Sequence, residues 1–136
     1  MTPVALAALM ARAMPDARPW SEAEFAALLA HPGALLLGDG RACVIGQVVA
    51  GEAEVFLVLT DPAHRRRGLA RGRLDDFENA ARQAGACRVI LEVAADNAAG
   101  RGLYAALDYR PFAERRGYYR RPTGPAMDAL MLEKHL

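Results

Sequence analysis

Apolar residues recur along the chain at two spacings, which predict short helices followed by strands. The N-terminal stretch 1–15 repeats apolar side chains every three or four positions, which favours an amphipathic helix. A second helix is predicted after Ser21, whose hydroxyl can cap it while Glu24 reaches back to complete a capping box. Short apolar runs between turn residues then predict three strands, at residues 34–38, 41–50 and 53–60.

The rest of the chain alternates helices with strands. The run 54–60 is apolar on both faces, which indicates a central strand. An amphipathic helix is predicted from Leu69 to Gly85. A strand at 87–93, a helix after Asn97 and two strands at 109–116 and 128–136 follow, with an irregular loop at 117–126. This order predicts a single α/β (α+β) domain over residues 1–136, with a mixed sheet packed by helices.

Composition and charge exclude several classes of function. The chain has 136 residues and a formal net charge of +1, so no overall field would draw it to nucleic acid or to an anionic membrane. We expect no membrane span and, since no basic residue precedes the N-terminal apolar run, no secretory signal. Cys43 and Cys87 have no neighbouring ligand residues, which favours buried thiols in a cytoplasmic protein and no metal site.

Residues 61–74, DPAHRRRGLARGRL, are consistent with a solvated charge run or with a loop that holds a phosphate. Three arginines alone would indicate a solvated charge run. The run, however, follows a predicted central strand and opens a helix, where free backbone N–H groups and the helix dipole attract an anion. Gly68 would let the backbone approach such a ligand closely.

This loop carries the first part of a resemblance to a known family. Arg65-x-x-Gly68-x-Ala70 fits the Gln/Arg-x-x-Gly-x-Gly/Ala signature of the GNAT N-acetyltransferases. The likeness continues through PWSEAEF, VLTDP, LEVAADNAAGRGLYAALDY and DALML, and is greatest to the bacterial ribosomal-protein alanine N-acetyltransferases. The resemblance implies a mostly antiparallel mixed sheet flanked by helices on both faces. It also implies direct transfer of an acetyl group from acetyl-CoA to a protein N-terminal amine, within a ternary complex.

The resemblance further implies which residues bind acetyl-CoA. Backbone amides of the loop would hold the pyrophosphate, strand backbone would follow the acetyl and pantetheine portion, and an asparagine would contact the cofactor while capping a helix. The implied cofactor-binding residues are Val58, Leu59, Thr60, Arg66, Arg67, Gly68, Leu69, Ala70, Arg71 and Asn97.

Two side chains are implied to carry the chemistry. Glu92, the only charge in VILEV, has the place of the family's proton acceptor; a structural ion pair with Arg88 or another arginine is the alternative. Because an α-amine has a pKa near 8, the base need only assist, and a water can relay the proton. Tyr104 has the place of the general acid, and without the resemblance it would be interpreted as a core tyrosine.

The segment RRGYYRR, residues 115–121, mixes aromatic and basic side chains. This composition suits an RNA-contacting surface, but also a solvated loop that lines the acceptor site. In the resembled family a Tyr-Tyr loop lies near the acceptor cleft, so Tyr118 and Tyr119 are candidates for contacting the acceptor. We expect a protein N-terminus as partner, with ribosomal proteins among the candidates, no nucleic acid, and a monomer or weak dimer.

The chain departs from the family pattern at two places. Asp108 stands where the family usually has glycine, and Asp is among the residues that tolerate a left-handed backbone. The loop RRPTGPAM, residues 120–127, follows the family less closely, which leaves acceptor specificity open. The open alternatives are the same chemistry on a small amine or a lysine, and a module that binds acetyl-CoA or RNA without turnover.

Overall fold

The computed structural model describes residues 1–136, and its helices and strands follow the predicted order. A single 3-10 turn, Pro62–His64, interrupts that order after the third strand. The helices are α1 Pro3–Ala13, α2 Glu22–Leu29, α3 Leu69–Gln83 and α4 Ala98–Ala106, and the strands are β1 Ala34–Gly38, β2 Ala42–Val49, β3 Glu52–Thr60, β4 Arg88–Ala94, β5 Arg110–Tyr119 and β6 Met127–His135.

All six strands belong to one sheet with the order β1-β2-β3-β4-β6-β5. Neighbouring strands are antiparallel except β3 and β4, which run parallel and are joined through α3. The expected mixed, mostly antiparallel sheet is therefore confirmed.

Helix ends follow the predicted local chemistry. Ser21 and Glu24 form the capping box at the start of α2, since each side chain accepts a hydrogen bond from the other residue's backbone N–H. Gly85, with φ of +87°, ends α3 in a conformation that favours glycine. Asp108 has φ of +69°, so the left-handed turn expected there is present and an aspartate occupies it.

The helices cover the sheet from both sides. Side chains of α1 and α2 pack with β1–β3 in one cluster, which includes Leu9, Phe25 and Leu57. On the other face, α3 and α4 pack over β2–β4 and β6 in a larger cluster centred on Phe77. Since β3 contributes Val55 to one cluster and Leu57 to the other, it is the central strand that the sequence predicts.

Gly46 in β2 allows α3 to pack closely on the sheet. A Cβ atom at this position would lie 2.1 Å from the carbonyl oxygen of Glu54 and 2.8 Å from the ring of Phe77. Both distances are too short for a nonbonded carbon, so a side chain here would displace the neighbouring strand and the Phe77 ring.

One charged side chain is buried in the core. Glu78 of α3 accepts hydrogen bonds from the Tyr109 hydroxyl at 3.0 Å and from Lys134 Nζ at 2.7 Å. Burial, followed by the charge of Glu78, raises the pKa of Tyr109 far above its usual range. This network joins α3 to the turn after α4 and to β6.

Two expectations are wrong. The irregular loop predicted at 117–126 is shorter, because β5 continues to Tyr119 across a register shift that accommodates Gly117 with φ of +61°. The strand predicted at 109–116 is present, but nearly every residue of β5 is exposed, so the polar sequence after residue 116 gave no signal that the strand continues. Both cysteines are free, but only Cys43 is buried; Cys87, directly before β4, is exposed. None of the four helices has the length and apolar character that a membrane crossing requires.

Candidate active site

The parallel strands β3 and β4 separate partway along their length. Their pairing begins at Glu52 opposite Arg88 and ends at Val55 opposite Leu91. The next residue, Phe56, has no partner in β2, because Ile45 pairs with Leu57 and Gly46 pairs with Val55. Beyond this irregularity β3 remains paired with β2 and β4 with β6, so a V-shaped opening forms between them.

The arginine-rich loop lies at the wide end of this opening. Gly68 is the N-cap of α3, has φ of +71°, and provides no side chain to bind the first free N–H groups of the helix. A cavity of about 220 Å³ is bounded by this loop and the first turn of α3. Its lining consists of Thr60, His64, Arg65, Arg66, Arg67, Gly68, Leu69, Ala70, Arg71 and Leu103.

The backbone rather than the arginine side chains gives the loop its shape. Arg66 has φ of +63°, and a Cβ atom at Gly68 would meet no protein atom within 4 Å. Arg65 turns away to donate a hydrogen bond to the carbonyl oxygen of Ala13 at 3.1 Å, and Arg67 contacts the His64 ring at 3.2 Å. A series of free N–H groups around a concave, positively charged loop is suited to bind phosphate.

Glu92 lies on the α1/α2 face of the sheet, opposite the side chains of Leu91 and Val93 that enter the α3/α4 cluster. Its side chain is 21% exposed, and its Oε1 lies 3.4 Å from Nη1 of Arg115 on β5. Arg88 is not its partner, because that guanidinium binds Glu52 and Glu133. The ion pair that the sequence left open is therefore made with Arg115.

Tyr104 lies on the inner side of α4, with 8% of the residue exposed. Its ring packs edge-on against Tyr109, with 5.9 Å between ring centroids. Burial, and to a smaller degree the proximity of Tyr119, raises the pKa of Tyr104 to about 12. The phenol is therefore protonated at neutral pH.

Tyr119 connects Tyr104 and Glu92 electrostatically. Burial, followed by the charges of Glu92 and Tyr118, raises the pKa of Tyr119, and Tyr119 in turn contributes to the raised pKa of Tyr104. Tyr118 is exposed and packs edge-on against Tyr119 at 5.2 Å between centroids, while the Arg115 guanidinium lies 5.1 Å from its ring centroid. The structure thus brings this tyrosine pair close to Glu92 and Tyr104.

Three predicted cofactor-binding residues do not line the cavity. Val58 packs against the α3/α4 cluster, and Leu59 is fully buried in the α1/α2 cluster, so only their backbone can face the opening. Asn97 is exposed and caps α4 by accepting a hydrogen bond from Gly100 N at 2.9 Å. Leu103 and His64 line the cavity without having been predicted; Leu103 comes from a distant helix, and nothing in its local sequence marks it.

Comparisons with known proteins agree with this geometry. The family described as Acetyltransferase (GNAT) matches residues 7–109. The chain is 36% identical over 108 residues to a ribosomal protein bS18-alanine N-acetyltransferase of Escherichia coli, covering 74% of this chain and 71% of that protein. It is 33% identical over 111 residues to the N-alpha-acetyltransferase RimI of Mycobacterium tuberculosis, covering 75% of this chain and 68% of that protein.

A solved structure extends the likeness to three dimensions. The crystal structure of the ribosomal-protein-S18-alanine N-acetyltransferase from Escherichia coli superposes with a TM-score of 0.87 at 33% identity, covering 98% of this chain and 86% of that one. Sequence, fold and site geometry together show that the chain belongs to the acetyltransferase (GNAT) family and is an acetyltransferase.

Proposed function

We propose that this acetyltransferase uses acetyl-CoA to acetylate the N-terminal α-amine of a protein. The observation that carries the proposal is the opening between β3 and β4, with the arginine-rich loop and its cavity at the wide end. Glu92 lies on β4 directly beyond the last strand pair, and Tyr104 follows the cavity-lining Leu103 in α4. The Escherichia coli relative is named for acetylating an alanine of ribosomal protein bS18. A ribosomal protein with an N-terminal alanine is accordingly the first acceptor to test.

The residues present fit acetyl-CoA. The N–H groups from Arg66 to Arg71 would hold its pyrophosphate, with the guanidinium groups adding attraction for the negative charge. The edge of β3 at Val58, Leu59 and Thr60 has no strand partner on the β4 side, so its backbone is free to bind the pantetheine amides. Asn97 would contact the cofactor from the cap of α4.

Direct transfer in a ternary complex suits these residues. The amine nitrogen attacks the thioester carbonyl carbon, the C–N bond forms and the C–S bond breaks. Glu92 takes the proton that the amine loses, directly or through one water. An α-amine with a pKa near 8 is already about one-tenth neutral at pH 7, so the base need only assist.

The raised pKa of Tyr104 changes the role that we propose for it, from general acid to hydrogen-bond donor. Full proton transfer from a phenol of pKa about 12 to a thiolate of pKa about 8.5 would be uphill by roughly 5 kcal/mol. Tyr104 therefore acts best as a hydrogen-bond donor that stabilises the developing negative charge on sulfur, in the manner of an oxyanion-hole group. The released thiolate then takes its proton from solvent.

The test is thiol release from acetyl-CoA with a panel of acceptors. The panel contains peptides that begin with Ala, Ser, Gly or Met, N-terminally blocked peptides with one free lysine, and small polyamines. We expect release with free N-termini and none with blocked peptides. Release only with lysine peptides or polyamines would overturn the choice of acceptor, and acetyl-CoA binding without release from any acceptor would favour a non-catalytic binding module.

A further inference from the structure

Glu54 is a carboxylate that the proposed mechanism leaves unused. It lies in β3 two residues before Phe56, and its side chain is on the α1/α2 face because its neighbours Ala53 and Val55 enter the α3/α4 cluster. Glu92 is on the same face of the adjacent strand, since Glu54 pairs with Ile90 and Glu92 lies two residues beyond. The two carboxylates therefore lie near each other, at the narrow end of the opening.

Every other carboxylate around Glu54 has a cationic partner. Glu52 and Glu133 bind Arg88, and Glu92 pairs with Arg115. The side chain of Glu54 makes no ion pair or hydrogen bond with another residue. It is half-buried, and its carboxylate oxygens reach solvent. Its pKa is raised first by burial and then by Glu92 and Glu52, an effect that Arg115 partly offsets. A half-buried, unpartnered carboxylate costs stability, which a cationic ligand would recover.

We infer that Glu54 is a specificity-determining residue for the acceptor, and that it favours N-termini with a basic side chain next to the terminal residue. The inference rests on the proposed function, in which the α-amine lies at Glu92. When the terminal amine of the acceptor lies at Glu92 and the peptide follows the α1/α2 face of the sheet, its second residue lies towards Glu54. A cation there gains an ion pair that this chain does not itself supply, whereas an acidic side chain meets two like charges.

The experiment measures kcat and KM for three peptides that differ only in their second residue: Ala-Arg, Ala-Ala and Ala-Glu. We expect wild type to use the Ala-Arg peptide at least about fivefold more efficiently than the Ala-Glu peptide, mainly through KM. Glu54→Gln should abolish most of this preference, and Glu54→Lys should reverse it. Neither change should alter the KM for acetyl-CoA, which binds at the other end of the opening.

Glu114→Gln is the matched control, because Glu114 is exposed on the opposite face of the sheet, on the edge strand β5, where it is in register with Leu130 of β6. This variant loses the same charge and should keep the wild-type preference. If wild type prefers the Ala-Arg peptide and Glu54→Gln retains that preference in full, Glu54 is not the determinant. If wild type uses all three peptides equally, the inference is also wrong while the proposed function stands. If no free N-terminus is acetylated, the proposed function is overturned, and the inference with it.

Discussion

Val55 and Leu91 form the last pair between β3 and β4, and the two strands separate immediately beyond them. The cause lies in the next residue, Phe56, which the register with β2 leaves unpaired. An extra residue of this kind bends a strand and increases its twist, so β3 turns away from β4 while β2 keeps it in the sheet. In the proposed function, the thioester and the amine would meet at this opening.

A substitution at Gly68 should weaken acetyl-CoA binding. Gly68 has φ of +71°, which costs a β-branched residue on the order of 1–2 kcal/mol, and its side chain would project towards the cavity rather than into protein. We expect Gly68→Val to raise the Kd for acetyl-CoA about tenfold or more in calorimetry. Gly72→Ala is the control, because Gly72 is helical and a Cβ atom there meets nothing within 4 Å. Equal affinity of both variants would contradict the pyrophosphate loop.

Loss of the Glu92 carboxylate should slow turnover without weakening acetyl-CoA binding. Glu92→Gln keeps the shape of the side chain, but it removes the proposed proton acceptor and the charge that pairs with Arg115. We expect kcat to fall about tenfold to a hundredfold at pH 7, with a smaller deficit at pH 9, where the α-amine is already neutral. Stopped-flow or thiol-release kinetics with an alanine peptide measure this. A kcat deficit that is the same at both pH values would exclude Glu92 as the base.

The Tyr104 hydroxyl should affect kcat but not the pH dependence of the reaction below pH 10. With a pKa of about 12, Tyr104 stays protonated over the whole working range, so wild-type activity should rise as the α-amine deprotonates near pH 8 and should not fall by pH 10. Tyr104→Phe should lower kcat about tenfold to a hundredfold and keep the same rising profile. A wild-type rate that falls between pH 8 and 10 would show that a more acidic group acts in place of Tyr104.

Much of the fold follows from the chain's local chemistry. Three short-range signals predicted β3 and its neighbouring helices: the capping box at Ser21, the stop at Gly85 and the run of apolar residues on both faces of the strand. The end of β5 could not be predicted in this way. Its strand is exposed and rich in arginine, so pairing with β6 rather than side-chain burial decides where it ends.

In the candidate site, too, features made by contiguous residues were predictable, whereas contacts made through strand pairing were not. The loop that lines the cavity was predictable because its residues are contiguous, from Arg66 to Arg71. The partner of Glu92 was not, because Arg115 reaches it only through the register of three strands. The role proposed for Glu54 could not be predicted either, because it depends on the pairing of the neighbouring carboxylates Glu52 and Glu92 with arginines from other strands.

Stability should fall in alkaline solution because of two buried tyrosines. The pKa of Tyr104 is raised to about 12 and that of Tyr109 further, against about 10 in the unfolded chain, so the folded state holds these protons more tightly. The stabilisation is fully present below pH 10 and is lost as the pH rises above it, because the unfolded chain then ionises first. Each tyrosine should remove about 1 kcal/mol from the free energy of unfolding between pH 10 and 11.

Tyr109→Phe separates this effect from simple loss of packing. The variant keeps the ring against Tyr104 but loses the hydrogen bond to Glu78, so at pH 8 it should be about 1–2 kcal/mol less stable than wild type. Between pH 10 and 11 it should lose about 1 kcal/mol less than wild type, so the two curves converge. Urea unfolding followed by circular dichroism at each pH measures both quantities, with Tyr118→Phe as an exposed control. Parallel curves for Tyr109→Phe and wild type would show that Tyr109 ionises alike in the folded and unfolded chains, contrary to its buried contact with Glu78.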